Sequence, residues 1–276
     1  MLSIPMLASR APAEWLMLGA FAVYAFVYPF AILLISFDWM PFGMEWMSSL
    51  LLVLLGLSCL GWAWANFGVL GVLSSTLVFV LGVIIEYVGV STGFPFGAYR
   101  YTGVLVPELP GGVPLAMGFA WLLIVIAGSF TARRLLLRMR RTARSVAALT
   151  VLSALFAVGL DLLLEPVAYH VKGYWQWFAG DAGYYGIPWG NFAAWFVAAA
   201  ALSVPLAALY TTRTPTKRVW LPVTLYTMNV IMFGIVNVAH GFWWPGLIAL
   251  LLLGAVWAGA GRGLLLSTRM GARQGQ

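Results

Sequence analysis

Residues 145–166 read SVAALTVLSALFAVGLDLLLEP, sixteen uncharged residues followed by two carboxylates, Asp161 and Glu165, and a proline. A run of about 20 apolar residues is what crosses the hydrocarbon of a bilayer. Residues four apart share one face of a helix, so the two acids point the same way. A carboxylate in hydrocarbon is costly unless it is paired or neutral, and by default it marks a functional site. Glu86 ends another such run, so three of the chain's 8 acidic residues sit where a membrane helix should not carry them.

The rest of the chain has the same character. Its 276 residues are 63% hydrophobic and 8% charged, with a mean hydropathy of +0.95. No soluble domain of this length is so apolar. Eight apolar runs are expected to span, at roughly 15–36, 46–65, 68–90, 113–132, 145–165, 191–210, 219–238 and 245–266; seven is the alternative. The expected fold is all-α, a polytopic bundle forming a single transmembrane domain over 1–276, multi-pass in the cell (inner) membrane. The single Cys59 and 2 His argue against a disulfide framework and against a Cys- or His-based metal site. No nucleotide or flavin motif is present, so no cofactor and no metal are expected. No basic stretch with a small-residue cleavage site precedes the first run, so a cleaved leader is not expected either.

Orientation follows from Lys and Arg. With eight spans, Arg10, Arg133, Arg134, Arg138, Arg140, Arg141, Arg144, Arg213, Lys217, Arg218, Arg262, Arg269 and Arg273 fall on one side, and only Arg100 and Lys172 on the other. That split places both termini in the cytoplasm and explains the +7 charge as a topogenic signal rather than a nucleic-acid surface. Asp38 and Glu45 fall in the first outer loop and are expected to be solvated.

The two long outer loops echo each other. Glu86 is followed by Tyr99-Arg100-Tyr101, then Gly112-Val113-Pro114 with Trp121 seven residues on. Glu165 is followed by Trp175-Gln176-Trp177, then Gly186-Ile187-Pro188 with Trp195 seven residues on. Each proline suits the first turn of a helix. An internal repeat, 68–132 and 145–210, is one reading, and a shared site between repeats is then expected. Recurrent interfacial aromatics are the other.

Glu86 lies about four residues inside the outer end of its run, and Asp161 a similar distance before Pro166, which is expected to end or kink its helix. At about 1.5 Å per residue both sit about 6 Å below the outer boundary. Lost solvation favours the neutral form of a carboxyl group, and a neutral acid beside an ionised one is a general acid with a general base. Tyr99, Tyr101, Tyr174, Trp175, Trp177, Tyr184, Tyr185 and Trp189 can present ring faces to a cation. The set suits protonation of an unactivated alkene, with water capturing the tertiary carbocation. Structural roles stand beside this. Glu86 could pair with Arg100 or Lys172, Glu165 could be solvated near the boundary, His170 could be interfacial, and Asn229 and Asn237 could bond between helices.

The stretches Glu86-Tyr-Val-Gly-Val-Ser-Thr-Gly93-Phe-Pro95-Phe-Gly97-Ala-Tyr99-Arg-Tyr101-Thr, Leu160-Asp161-Leu-Leu-Leu-Glu165-Pro166, Gly173-Tyr-Trp175-Gln-Trp177 and Tyr185-Gly-Ile-Pro188-Trp-Gly-Asn191-Phe-Ala-Ala-Trp195 resemble the CruF-type carotenoid 1,2-hydratase family. Where the family's string has Asp as its second acid, this chain has Glu165. The resemblance implies addition of water across the terminal 1,2 double bond of a linear ψ end group, as in lycopene or γ-carotene, giving a tertiary 1-hydroxy carotenoid. It implies Asp161 as proton donor, Glu86 as its partner or the water-activating base, and Glu165, Tyr99, Tyr101, Trp175 and Trp177 as pocket residues. Tyr185, Trp189, Asn191 and Asn237 complete the expected substrate contacts. The implied partners are a carotenoid, membrane lipid and other enzymes of the same pathway, with no nucleic acid. Two rivals stand beside it. A UbiA-like prenyltransferase would need acid-rich clusters holding Mg²⁺ and a diphosphate. A proton-coupled transporter of a lipophilic ligand would use the acids as a relay.

Overall fold

The computed structural model of the protein describes residues 12–136, 142–178 and 183–274. Seven helices are long and apolar enough to cross a membrane: α1 (Pro12–Ser36), α2 (Met47–Phe67), α3 (Val69–Thr92), a central helix (Leu115–Leu135), α6 with its terminal turn (Ala143–Val171), α7 (Trp189–Thr212) and α8 (Leu221–Ala239). The central helix is α4 (Leu115–Leu122), a π-helical turn (Leu123–Ala127) and α5 (Gly128–Leu135). The eighth expected run lies in α9 (Trp243–Gln274), whose apolar part among the described residues, Trp243–Gly259, is the shortest of the set. Of the basic residues assigned to the cytoplasmic side, Arg10, Arg138, Arg140 and Arg141 lie outside the described residues.

Every residue from Ala120 to Ala132 is buried. A helix apolar all round must be enclosed by others; α2 and α3 pack on its outer half, and α6, α8 and α9 on its inner half. Side-chain hydrogen bonds tie the ring of helices together, as they do where lipid provides no hydrophobic drive. The Tyr28 hydroxyl donates to the Met228 carbonyl at 2.7 Å, the Tyr226 hydroxyl to Phe156 at 2.8 Å, and the Asn237 amide to Leu163 at 2.7 Å. Pro166 does not end its helix. The chain runs on through a π-helical turn, Val167–Val171, the kind of irregularity that clusters at functional sites.

α3 buries a single stripe, Gly71, Ser75, Val78, Gly82, Glu86 and Gly89, at helical spacing, and turns Leu73, Leu77, Ile84 and Tyr87 outward. The glycines around Glu86 are a packing requirement. A Cβ on Gly82 would come within 2.6 Å of the Trp121 ring, and one on Gly89 within 2.9 Å of the Tyr99 hydroxyl. Glycine here lets both side chains reach the carboxylate between them.

The two outer loops meet as strands. β1 (Tyr99–Tyr101) pairs antiparallel with β4 (Trp175–Trp177), with Tyr99 opposite Trp177, Arg100 opposite Gln176 and Tyr101 opposite Trp175. Strand alternation sends Tyr99, Tyr101, Trp175 and Trp177 to one face. Arg100 and Gln176 take the other, where the guanidinium donates to the Gln176 oxygen at 2.9 Å and 3.2 Å. A second pair, β2 (Glu108–Leu109) with β3 (Val113–Pro114), folds the first loop back before α4. The all-α expectation therefore holds for the bundle, with two small ribbons over it.

Gly82→Leu forces Trp121 aside and is expected to cost about 1–3 kcal/mol by overpacking, read as a lower thermal midpoint in nanodiscs. Ile84→Leu, on the outward face of the same helix, should leave the midpoint unchanged.

Candidate active site

Glu86 accepts three hydrogen bonds: from the Tyr99 hydroxyl at 2.6 Å and the Tyr101 hydroxyl at 2.8 Å on Oε2, and from Trp121 Nε1 at 3.1 Å on Oε1. Glu165 also accepts three: from Trp175 Nε1 at 3.1 Å and Trp177 Nε1 at 3.3 Å on Oε2, and from Asn191 Nδ2 at 3.0 Å on Oε1. Each strand of the ribbon thus hangs two side-chain donors over its own glutamate. The pattern satisfies a carboxylate with uncharged donors, and Glu86 is not ion-paired with Arg100 or Lys172 among the described residues.

Asp161 differs. Its Oδ2 accepts from Asn191 Nδ2 at 3.1 Å, while its buried Oδ1 has no hydrogen-bond partner among the described residues. Asn191 therefore spends its two N–H bonds on two acids, one to each. Asp161 is the acid whose environment leaves an oxygen free to carry a proton.

Glu165 is 2% exposed, Glu86 3% and Asp161 1%. Glu165 is buried rather than solvated. Thr92 ends α3 six residues after Glu86, and Val171 ends the π-helical turn six residues after Glu165. The two glutamates thus stand equally far from the ends of their helices, and Asp161 one helical turn further in.

The donors keep their protons. Burial, then the Glu86 charge, pushes the Tyr99 phenol far above the usual tyrosine range, and the same two causes lift Tyr101. Between the two glutamates is a cavity of about 20 Å³, lined by Glu86, Glu165, Tyr99, Tyr101, Trp175, Trp177 and Asn191. Phe96, Met117 and Trp195 complete it. Trp195 stacks on Trp121 with centroids 4.6 Å apart and 18° between planes. A polar floor of carboxylates under aromatic walls can deliver a proton and shield the cation it creates.

Asp161 is absent from the cavity wall and reaches it through Asn191. Three other expected contacts lie elsewhere. Tyr185 packs its ring on Tyr184 and Phe242, and its carbonyl meets His170 Nε2 at 2.7 Å. Trp189 is 61% exposed. Asn237 donates to Leu163 and Phe233 at 2.7 Å, a helix-to-helix tie. Phe96, Met117, Trp121 and Trp195 are the residues not assigned to the site from sequence. Trp121 and Trp195 had a signal, each standing seven residues past its proline; Met117, three past Pro114, occupies the position that Asn191 has past Pro188.

The chain matches the family described as carotenoid biosynthesis protein over residues 47–256. It is 32% identical over 192 residues to a bisanhydrobacterioruberin hydratase of Haloarcula japonica, covering 68% of this chain and 63% of that protein. The chain thus spans a little under two thirds of that relative's length. No solved structure matches.

Asn191→Leu strips Asp161 Oδ2 and Glu165 Oε1 of their amide donor, and stranded buried groups cost about 1–3 kcal/mol each. The expected result is a lower thermal midpoint. A cycle with Asp161→Leu should be non-additive, the double variant losing less than the sum of the singles.

Proposed function

Since the chain belongs to the family of carotenoid biosynthesis proteins, we propose that it is a carotenoid hydratase. It would add water across the terminal 1,2 double bond of a linear ψ end group of the lycopene or γ-carotene type. The observation that carries this is the convergence of three acids from two helices beneath one aromatic ribbon. The hydratase activity of the Haloarcula japonica relative supports it.

In this mechanism the end group enters the cavity with its double bond over the acids. The Asp161–Glu165 pair, joined through Asn191, supplies the proton, with Asp161 as its resting place. The proton adds to C2 of the end group, the π electrons form the new C–H bond, and a tertiary cation is left at C1. Tyr99, Tyr101, Trp175 and Trp177 face that cation with π density. Water attacks C1, and its surplus proton passes to Glu86, the carboxylate of the opposite helix. Return of that proton to the pair through the water site closes the cycle, with one water added and no electrons exchanged. The ribbon keeps bulk water off the cation, so capture occurs at one carbon.

Expression in a polyene-accumulating bacterial host tests it, with pigments analysed by mass spectrometry. The wild type should add the mass of one water to a ψ-ended carotenoid, and in D₂O should place one deuterium at C2. Asp161→Asn, Glu165→Gln and Glu86→Gln should each lose about 10²-fold or more, the range of general acid–base catalysis. Unchanged pigment from well-expressed wild type, or full activity in Asp161→Asn, would count against the mechanism.

A further inference from the structure

A second cavity adjoins the first. Its volume is about 70 Å³. Met117, Trp175 and Trp195 line both cavities and so form the partition between them. Beyond the partition the wall is aliphatic, with Leu51, Leu55, Ala120, Ile124, Leu164 and Phe233 among its residues. Polar groups occur toward its two ends. Lys172 and Ser48 lie by the outer loops; Tyr24 and Asn229 lie midway along α1 and α8, with the Asn229 amide 3.4 Å from the Tyr24 hydroxyl.

The echo between the two loops breaks in a direction that matches this arrangement. Four residues before Glu165 stands Asp161; four before Glu86 stands Gly82. Three residues after Pro188 stands Asn191; three after Pro114 stands Met117. The polar members all belong to α6 and α7, and the apolar member, Met117, faces both cavities. A ligand with one reactive end and a long apolar body fits this polarity in one sense only, its end against Glu165 and Asn191 and its body across Met117. Methionine is the side chain best able to move aside for such a body, being unbranched with three rotatable bonds.

We infer that the second cavity is the slot for the apolar body of a linear polyisoprenoid, with Met117 as the gate between slot and acids. The identity of the reacting end rests on the proposed hydration; the slot itself rests on the shared wall. The groove between α8 and α9, of about 790 Å³ and lined by Val230, Gly234, Trp243 and Leu250, is the competing place for such a chain.

The test uses the full chain in nanodiscs and a diazirine-bearing C20 isoprenoid hydrocarbon, photolysed and mapped by mass spectrometry. Labels are expected on the α2 segment 51–55 and the central-helix segment 120–124, and excess lycopene should displace them. Labels confined to the α8–α9 groove, or slot labels that lycopene does not displace, would overturn the slot. Ala120→Phe fills the slot and, in protein that remains folded, should cut slot labelling about tenfold or more; undiminished labelling in that folded variant would also overturn it. Should that variant fail to fold, the wild-type map decides alone. Glu165→Gln should still be labelled. Slot labelling without water addition to any polyene sinks the hydratase and keeps the slot; water addition with labels only in the groove does the reverse.

Discussion

Two glutamates buried in a bilayer protein have to be satisfied without water, and the outer half of this structure is organised around that constraint. Each takes three hydrogen bonds, five of the six from tyrosine hydroxyls and indole N–H groups. An unpaired buried carboxylate would be prohibitive, while an ion pair would lock the charge. Aromatic donors do a third thing: they satisfy the oxygens and at the same time build apolar walls. The same rings can therefore hold the acids in place and receive a hydrocarbon.

The geometry of the rest follows from bringing those donors into reach. The ribbon of β1 and β4 exists because each strand must present two side chains to one face, which only alternating backbone does at this length. The small stripe of α3 exists because Trp121 and Tyr99 approach Glu86 across glycine. The central helix, buried from Ala120 to Ala132, carries Trp121 and Met117 between the two halves. Stability and site are the same set of contacts here, so variants of the site should be judged by folding as well as turnover.

The near-symmetry of the two halves matters most where it fails. Glutamates, paired aromatics and stacked tryptophans correspond across the ribbon, while Asp161 and Asn191 have Gly82 and Met117 as their counterparts. One half supplies an acid pair with an oxygen that has no partner among the described residues; the other supplies a single, fully bonded glutamate and Met117.

The apolar runs determined the class of protein, and the lone carboxylates within them stood out, because hydropathy and the cost of charge in hydrocarbon are local properties of a sequence. The aromatic-x-aromatic echo was likewise legible, and the seven-residue spacing to Trp121 and Trp195 was on view. Three things were decided only by tertiary structure. The echoing strings pair with each other, which no spacing states, since strand partners lie far apart in sequence. Glu165, rather than Asp161, lines the first cavity with Glu86, on a helix that continues through Pro166 into a π-helical turn. Tyr185, Trp189 and Asn237 turn away from the acids, while Met117 and Phe96 turn toward them, since the direction of a side chain at a loop or helix end depends on which neighbours fill the space around it.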